Sequence, residues 1–430
     1  MKILIISEEL WRNDTNGGNV LSNIFFNIEA EYAQIYCRNG MPENNICKKY
    51  YQMTDSMMIN NLIHSTVIGH EFELTEECTS LNNASTNNNR VNYNFFKKHR
   101  LSIFYIFQEL LWKFAKWDNE KLENFILHFQ PDIIFAPCYG KQRMLRLTRY
   151  VANLTHVPIV SYISDDSYSL KRIRISPIYW INHFILRHSL RKTFSYYNLV
   201  YTMTEEQKQE CERIFNANMK ILIKGTDVPN DKKFVGKPIK LIFAGGIYCG
   251  RWKTLSKIVK ALKKINKNSV LMELHIYTGS SMTKKHKKLL DDRRNSYLHE
   301  AVSQSTLKDL YGKSDIALHV ESFDLKNRFL TRLSFSTKIT DCLESGCAVM
   351  AIAWKNHSGL KYLQREDAAM CIDNPNEIYN TLNKICEDKE IILEYQKKAK
   401  QCCIKNHNKE KNSAMILADF ERVIHENNEA

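Results

Sequence analysis

At 430 residues the chain is too long for one ordinary domain and fits two of roughly 200 residues each. Apolar residues make up 44% and charged residues 25%, enough for two buried cores, and the absence of any apolar run of about 18 residues excludes a membrane-spanning helix. Lys and Arg number 61 against 47 Asp and Glu, a formal charge of +14 that favours polyanions: nucleic acid, an anionic membrane or phosphate-bearing small molecules.

The chain opens on Lys2-Ile-Leu-Ile-Ile-Ser7, whose apolar core is too short for a signal peptide and is followed by Glu8 and Glu9. A cytosolic or peripheral protein is expected. Twelve cysteines are scattered without a CxxC pair, which fits free thiols in a reducing compartment better than a disulfide framework or a metal site.

Short apolar runs alternate with helical patterns along the whole chain, the mark of parallel α/β architecture. Strands are predicted at Ile3–Ile6, Tyr32–Cys37, Asp132–Ala136, Ile159–Ile163 and Leu199–Met203. A second set is predicted at Ile239–Ala244, Glu273–Tyr277, Ile316–Val320, Ala348–Ile352 and Ala369–Ile372. Two consecutive parallel sheets account for this, with a first domain over 1–224, a linker over 225–238, a second domain over 239–407 and a helix over 408–430 that can pack back on the first. The linker region holds Gly225 and Pro229 among turn formers. Residues 79–92 are Asn-rich and aperiodic, and predict a mobile insertion.

Three segments have the composition to hold an anion. After the first strand, Asn16-Gly17-Gly18-Asn19 precedes an apolar helix expected over Val20–Ile28, and paired glycines there let backbone amides approach a phosphate or a sugar. After Ala244, the run Gly245-Gly246-Ile-Tyr-Cys-Gly250-Arg251-Trp252-Lys253 leads into a helix expected from Leu255 to Lys264. Backbone approach and two cations at a helix start suit a pyrophosphate. Finally, Ser336 and Thr337 can cap a helix that carries Lys338 in its first turn and Asp341 one turn in, with Gly346 as its stop. Asp341 is placed to accept hydrogen bonds from a ribose diol. Each segment also has a plain structural reading as a turn or a capped helix.

Taken together, these segments resemble the GT-B glycosyltransferases of family 4 over nearly the whole chain. Gly17 and Gly18 match the family's opening Gly-Gly loop, Lys224-Gly225-Thr226-Asp227 its linker, and Lys253 the Lys of its diphosphate turn. Ile247 stands where the family has Arg, with Arg251 nearby. Gly346-Cys-Ala-Val349 matches the strand after the family's Glu-x7-Glu element, but Asp341 replaces the second Glu and Leu333 stands at the position of the first. Glu321, after an expected strand and ahead of an insertion, is the better match for the donor-sugar contact, with Asp324 as the fallback.

The resemblance implies two Rossmann-like parallel-sheet domains facing a central cleft. It implies retaining transfer of a sugar from a nucleoside diphosphate sugar, UDP being favoured, to a glycan or lipid-linked acceptor in surface-polysaccharide synthesis. It also implies that no cofactor or divalent metal is required. Gly17, Gly18, Gly246, Arg251, Lys253, Ser336, Thr337, Lys338 and Asp341 are the expected donor-side residues.

On the acceptor side, Asp165 and Asp166 follow a strand at the edge where α/β proteins place ligands, as candidates to orient a hydroxyl or act as base. Glu8 and Glu9 are weaker candidates for the same cleft. The basic stretches 171–192 and Phe95–Trp117 carry interfacial aromatics and suit an anionic membrane surface as well as core packing with a solvated rim. A sugar-nucleotide epimerase or hydrolase of the same fold is the rival enzyme reading. Nucleic-acid binding is the rival reading from charge and lacks a recognisable motif.

Overall fold

The computed structural model describes residues 1–13, 16–74, 102–229, 231 and 235–429. The Asn-rich segment 79–92 and the first part of the Phe95–Trp117 stretch, through Leu101, lie outside the described residues.

Two sheets form. The first runs β4-β3-β2-β1-β5-β6-β7-β8, from β1 (Lys2–Ser7), β2 (Glu31–Tyr36), β3 (Lys49–Gln52), β4 (His70–Glu73), β5 (Ile133–Phe135), β6 (Ile159–Ile163), β7 (Leu199–Thr202) and β8 (Met219–Ile221). It is parallel except for β4, which pairs antiparallel at the edge. The second is wholly parallel, in the order β11-β10-β9-β12-β13-β14. Its strands are β9 (Ile239–Ala244), β10 (Met272–Thr278), β11 (Ser296–Glu300), β12 (Ile316–Val320), β13 (Ala348–Ile352) and β14 (Met370–Ile372).

All ten expected strands form, each with ends within one residue of expectation. Their runs are nearly continuous apolar sequence because helices cover both faces of a parallel sheet. The four strands that sequence alone missed, β3, β4, β8 and β11, lie at or next to sheet edges and are short or polar. One helix moves: the expected Val20–Ile28 helix spans Asn16–Ile24, which puts Gly17 and Gly18 inside its first turn instead of in a loop before it.

In each sheet the chain order reverses at one strand, β1 in the first and β9 in the second, so the loops leaving β1 and β5, and β9 and β12, diverge and leave a crevice. Those four loops carry Glu8, Tyr139, Gly245 and Glu321 respectively. No helix of the described residues is long and apolar enough to cross a membrane.

The halves are joined by two neighbouring chain crossings. Gly225 exchanges backbone hydrogen bonds with the Asn23 amide, at 2.9 Å each way, and a Cβ there would meet the Lys409 Cα at 2.9 Å. Lys409 opens the returning helix Lys409–Glu429, which lies on the first sheet. Its Phe420 is fully buried against Phe25 and Phe135, and Asp419 accepts from the Tyr201 hydroxyl at 2.8 Å and pairs with Lys220.

Between the crossings sits His407, fully buried. Its Nδ1 meets the Lys224 carbonyl at 3.2 Å and its Nε2 the Tyr362 hydroxyl at 2.8 Å, while Thr226 N–H donates to its carbonyl. One donor and one acceptor are satisfied, which is the neutral imidazole, and burial lowers its pKa to about 4. A histidine depressed in the folded state contributes stability that is present above its unfolded pKa of about 6.5 and is lost as pH falls toward about 4. At about 1.4 kcal/mol for each displaced unit, the loss reaches about 3 kcal/mol. Urea denaturation is therefore expected to show the protein losing stability between pH 7 and 5, with a shallower slope in His407→Gln; parallel slopes contradict this account.

Candidate functional site

The β9–β12 crevice is built from three loop ends. Gly245, with φ +148°, turns the chain out of β9, and a Cβ there would lie 1.8 Å from the Lys338 side chain. Only glycine lets Lys338 lie across this loop. Lys338 comes from the helix Thr337–Glu344, whose N-cap Ser336 accepts the Lys338 N–H at 3.3 Å. Burial, with Arg251 nearby, lowers the Lys338 pKa against the pull of Glu321 and Asp341, so an arriving anion would favour its charged form.

Arg251 begins the helix Arg251–Ile265, earlier than the expected Leu255. Its Nε and Nη2 both donate to Glu321 Oε1, at 3.0 and 2.6 Å, with both side chains buried. Glu321 stands just past β12, and its carbonyl accepts the Thr254 hydroxyl at 2.8 Å, locking the strand end to the helix start. Lys253 is half exposed and pairs with Asp324 at 2.6 Å, which holds that carboxyl below its ordinary range. The two cations that the sequence assigned to a diphosphate thus each share an acid, Arg251 with Glu321 and Lys253 with Asp324.

Beside Glu321 lie His319 and His357, both buried, with ligand atoms of all three within 4.8 Å of one another. Glu321 Oε2, His319 Nε2 and His357 Nε2 have no hydrogen-bond partner among the described residues. The group has the residue types of a metal site, but two features oppose one. Arg251 already neutralises Glu321, and His357 Nδ1 accepts the Leu360 N–H at 3.4 Å, which leaves the proton of the neutral ring on Nε2. Burial also holds both histidines below their ordinary pKa, and hence neutral. The trio presents an acceptor, Glu321 Oε2, beside an N–H donor, a pairing suited to hydroxyl groups.

Asp341, on the same helix as Lys338, is approached by Lys224 of the linker at 3.4 Å. Gly246 continues the β9 turn. The structure therefore gathers Gly246, Arg251, Lys253, Glu321, Ser336, Thr337, Lys338 and Asp341 around one crevice of the second sheet, while Gly17 and Gly18 belong to the first half.

At the first sheet, Asp165 is exposed at the β6 end, and its pKa is raised by the protein packed around it against the pull of Arg172. Asp166 is buried and committed: Oδ2 meets Arg332 at 3.0 Å and Oδ1 accepts the Ser169 N–H at 3.0 Å. Burial raises its pKa against that pairing. Arg332 also forks onto both carboxylate oxygens of Glu210, so one guanidinium from the second half joins two acids of the first. Arg332 comes from the stretch between Glu321 and Ser336 that the resemblance left as an insertion.

Glu8 is likewise committed. Burial works against its charge, but Lys141 and Arg143 outweigh it and hold the pKa low. Burial raises Glu9 despite Arg38 at 2.6 Å. Arg332, Glu210, His319 and His357 were not singled out in the sequence, because Arg332 meets Glu210 across 122 positions and the histidine pair forms across 38.

No family model and no curated protein matches the chain. Solved structures do, over nearly its full length. HepE of Anabaena in complex with UDP superposes with a TM-score of 0.63 at 10% identity, covering 98% of this chain and 100% of that one. HepE with UDP-glucose gives 0.59 at 12% with the same coverage. An α,α-trehalose-phosphate synthase (UDP-forming) from Burkholderia xenovorans, in complex with glucose-6-phosphate, gives 0.54 at 10%, with 98% and 100% covered. The fold is GT-B: two Rossmann-like, parallel-sheet halves.

Removing one partner of a buried, forked ion pair leaves the other charges desolvated, at a cost of about 3–5 kcal/mol. Arg332→Met is expected to lose about that much in chemical denaturation, and Arg332→Lys to recover only part of it because an ammonium cannot fork.

Proposed function

We propose that the chain is a glycosyltransferase moving a sugar from a nucleoside diphosphate sugar, UDP the favoured nucleotide, to a hydroxyl of a glycan or lipid-linked acceptor. Residues 239–407 would hold the donor and 1–224 the acceptor. The observation that carries this is the convergence of Lys338, Arg251, Lys253 and two helix N-termini on the crevice between β9 and β12. It is a place for a diphosphate with a hydroxyl-binding pair beside it. HepE, of the same fold, has been solved with UDP and with UDP-glucose, which supports the choice of donor.

In the reaction the bond between the anomeric carbon and the diphosphate oxygen breaks, and the diphosphate gains charge. Lys338 and the amides at the starts of Arg251–Ile265 and Thr337–Glu344 are placed to take up that charge, and Lys253 joins them by turning from Asp324. The acceptor oxygen forms the new bond on the same face, giving retention, and its proton passes to the departing diphosphate. Glu321 Oε2 and His357 Nε2, buried and unpartnered among the described residues, would steady a sugar hydroxyl that reaches them. Fixed cations and helix amides supply the charge stabilisation here, so no divalent metal is invoked. Synthesis of a surface polysaccharide from the cytoplasmic side is the setting that this chemistry fits.

A thermal-shift series with UDP, GDP and their sugars tests the reading. UDP at about 100 times its dissociation constant is expected to stabilise the protein by about 2.7 kcal/mol. Lys338→Met should abolish that shift, and Lys253→Ala should lower turnover about 100-fold or more with the fold intact. No stabilisation by any nucleoside diphosphate overturns the donor site.

A further inference from the structure

Residues 167–204 contain six cations, Lys171, Arg172, Arg174, Arg187, Arg191 and Lys192, and no carboxylate. Within them, Ser176 caps the helix Pro177–Phe194 and Pro177 occupies its first turn. Ile178, Ile181, Phe184 and Ile185 form a stripe at helical spacing that faces outward, 49–60% exposed, and Ile175 just before the helix is 96% exposed. The preceding loop is fastened to the helix. Trp180 Nε1 donates to the Arg174 carbonyl at 2.9 Å, and the Arg174 guanidinium lies 5.5 Å from the Tyr179 ring centroid. A neighbouring helix, Ser102–Phe114, packs against it and adds exposed Phe107, Leu110 and Phe114 beside Lys113.

Scattered exposed apolar side chains are ordinary, but a joined stripe of branched and aromatic ones rimmed by cations is not. We propose that this face docks on an anionic lipid bilayer, with the isoleucines and phenylalanines entering the headgroup–acyl boundary and the Lys and Arg heads meeting lipid phosphates. Charge decides among the occupants. A second copy of the chain would set the exposed Arg174, Arg191 and Lys192 against themselves across a two-fold interface, whereas Lys171 is already paired with Glu210 at 3.6 Å. A nucleic acid would use the cations and leave the apolar stripe in water.

One loop joins the docking face to the acceptor-side carboxylates: Asp165 and Asp166 open it at the β6 end, and Ile175 lies at its far end beside the helix. A hydroxyl carried by a membrane lipid would therefore enter on the acceptor side. That purpose rests on the glycosyltransferase reading, but the docking does not.

Flotation of the full-length protein with vesicles of phosphatidylglycerol and phosphatidylcholine in equal parts, and with phosphatidylcholine alone, tests the face. Binding to the anionic vesicles is expected to exceed binding to the neutral ones by at least about tenfold and to weaken with added salt. The variant Ile178→Ser/Ile181→Ser/Phe184→Ser should lose about tenfold or more in anionic-vesicle binding, with its thermal midpoint and its shift by UDP unchanged. Equal binding to both vesicles, or a variant that floats like the parent, overturns the proposal. So does a concentration-dependent dimer that the variant abolishes. A missing UDP shift in a protein that still floats would sink the donor site and leave the docking face standing.

Discussion

A buried carboxylate needs a counter-charge, and the second half of the molecule is arranged to give Glu321 one. Arg251 supplies it with two hydrogen bonds to a single oxygen, which leaves the other oxygen facing His319 and His357. The pair ties the end of β12 to the first turn of the helix after β9, the two elements that diverge where the strand order reverses. Because Arg251 is held there, the backbone between Gly245 and Gly250 follows a set path, and Lys338 can lie over the glycine. A cation, a helix start and a hydroxyl-sized acceptor–donor pair come to one place as consequences of one desolvated charge.

The same economy operates between the halves. Arg332 answers two acids of the first half, and His407 satisfies a linker carbonyl and a tyrosine hydroxyl of the second half with one neutral ring. These contacts are short, buried and polar, so they fix the relative position of the sheets more sharply than apolar packing would. The Arg332 contact also removes Asp166 from the set of free carboxylates that chemistry in the cleft could use, as Lys141 and Arg143 remove Glu8 within the first half. Asp165 and Glu9 remain on that side with raised pKa values.

Much of this was legible from the residues. The ten buried strands stand out because a strand covered on both faces must be apolar throughout. Ser176-Pro177 and Ser336-Thr337 announce helix starts because local backbone amides need a capping oxygen. The edge strands β4 and β11 were not legible, since they are formed by backbone pairing to a neighbour and their side chains carry little hydrophobic pattern. Gly17 and Gly18 misled for a related reason. Helix Asn16–Ile24 takes glycine into its first turn, against intrinsic propensity, which is a weak preference that tertiary context overrides.

The sequence by itself determined the two-sheet α/β class, the basic surface and the three segments with anion-binding composition, because each depends on periodicity or on residues a few positions apart. Tertiary structure alone decided which charges are free. Whether Lys253, Arg251, Asp166 or Glu8 meets a ligand or a partner depends on Asp324, Glu321, Arg332 and Lys141, which lie some 70 to 170 positions away. A charge is neutralised by what lies within a few ångströms in space, and the strand order of the two sheets sets that.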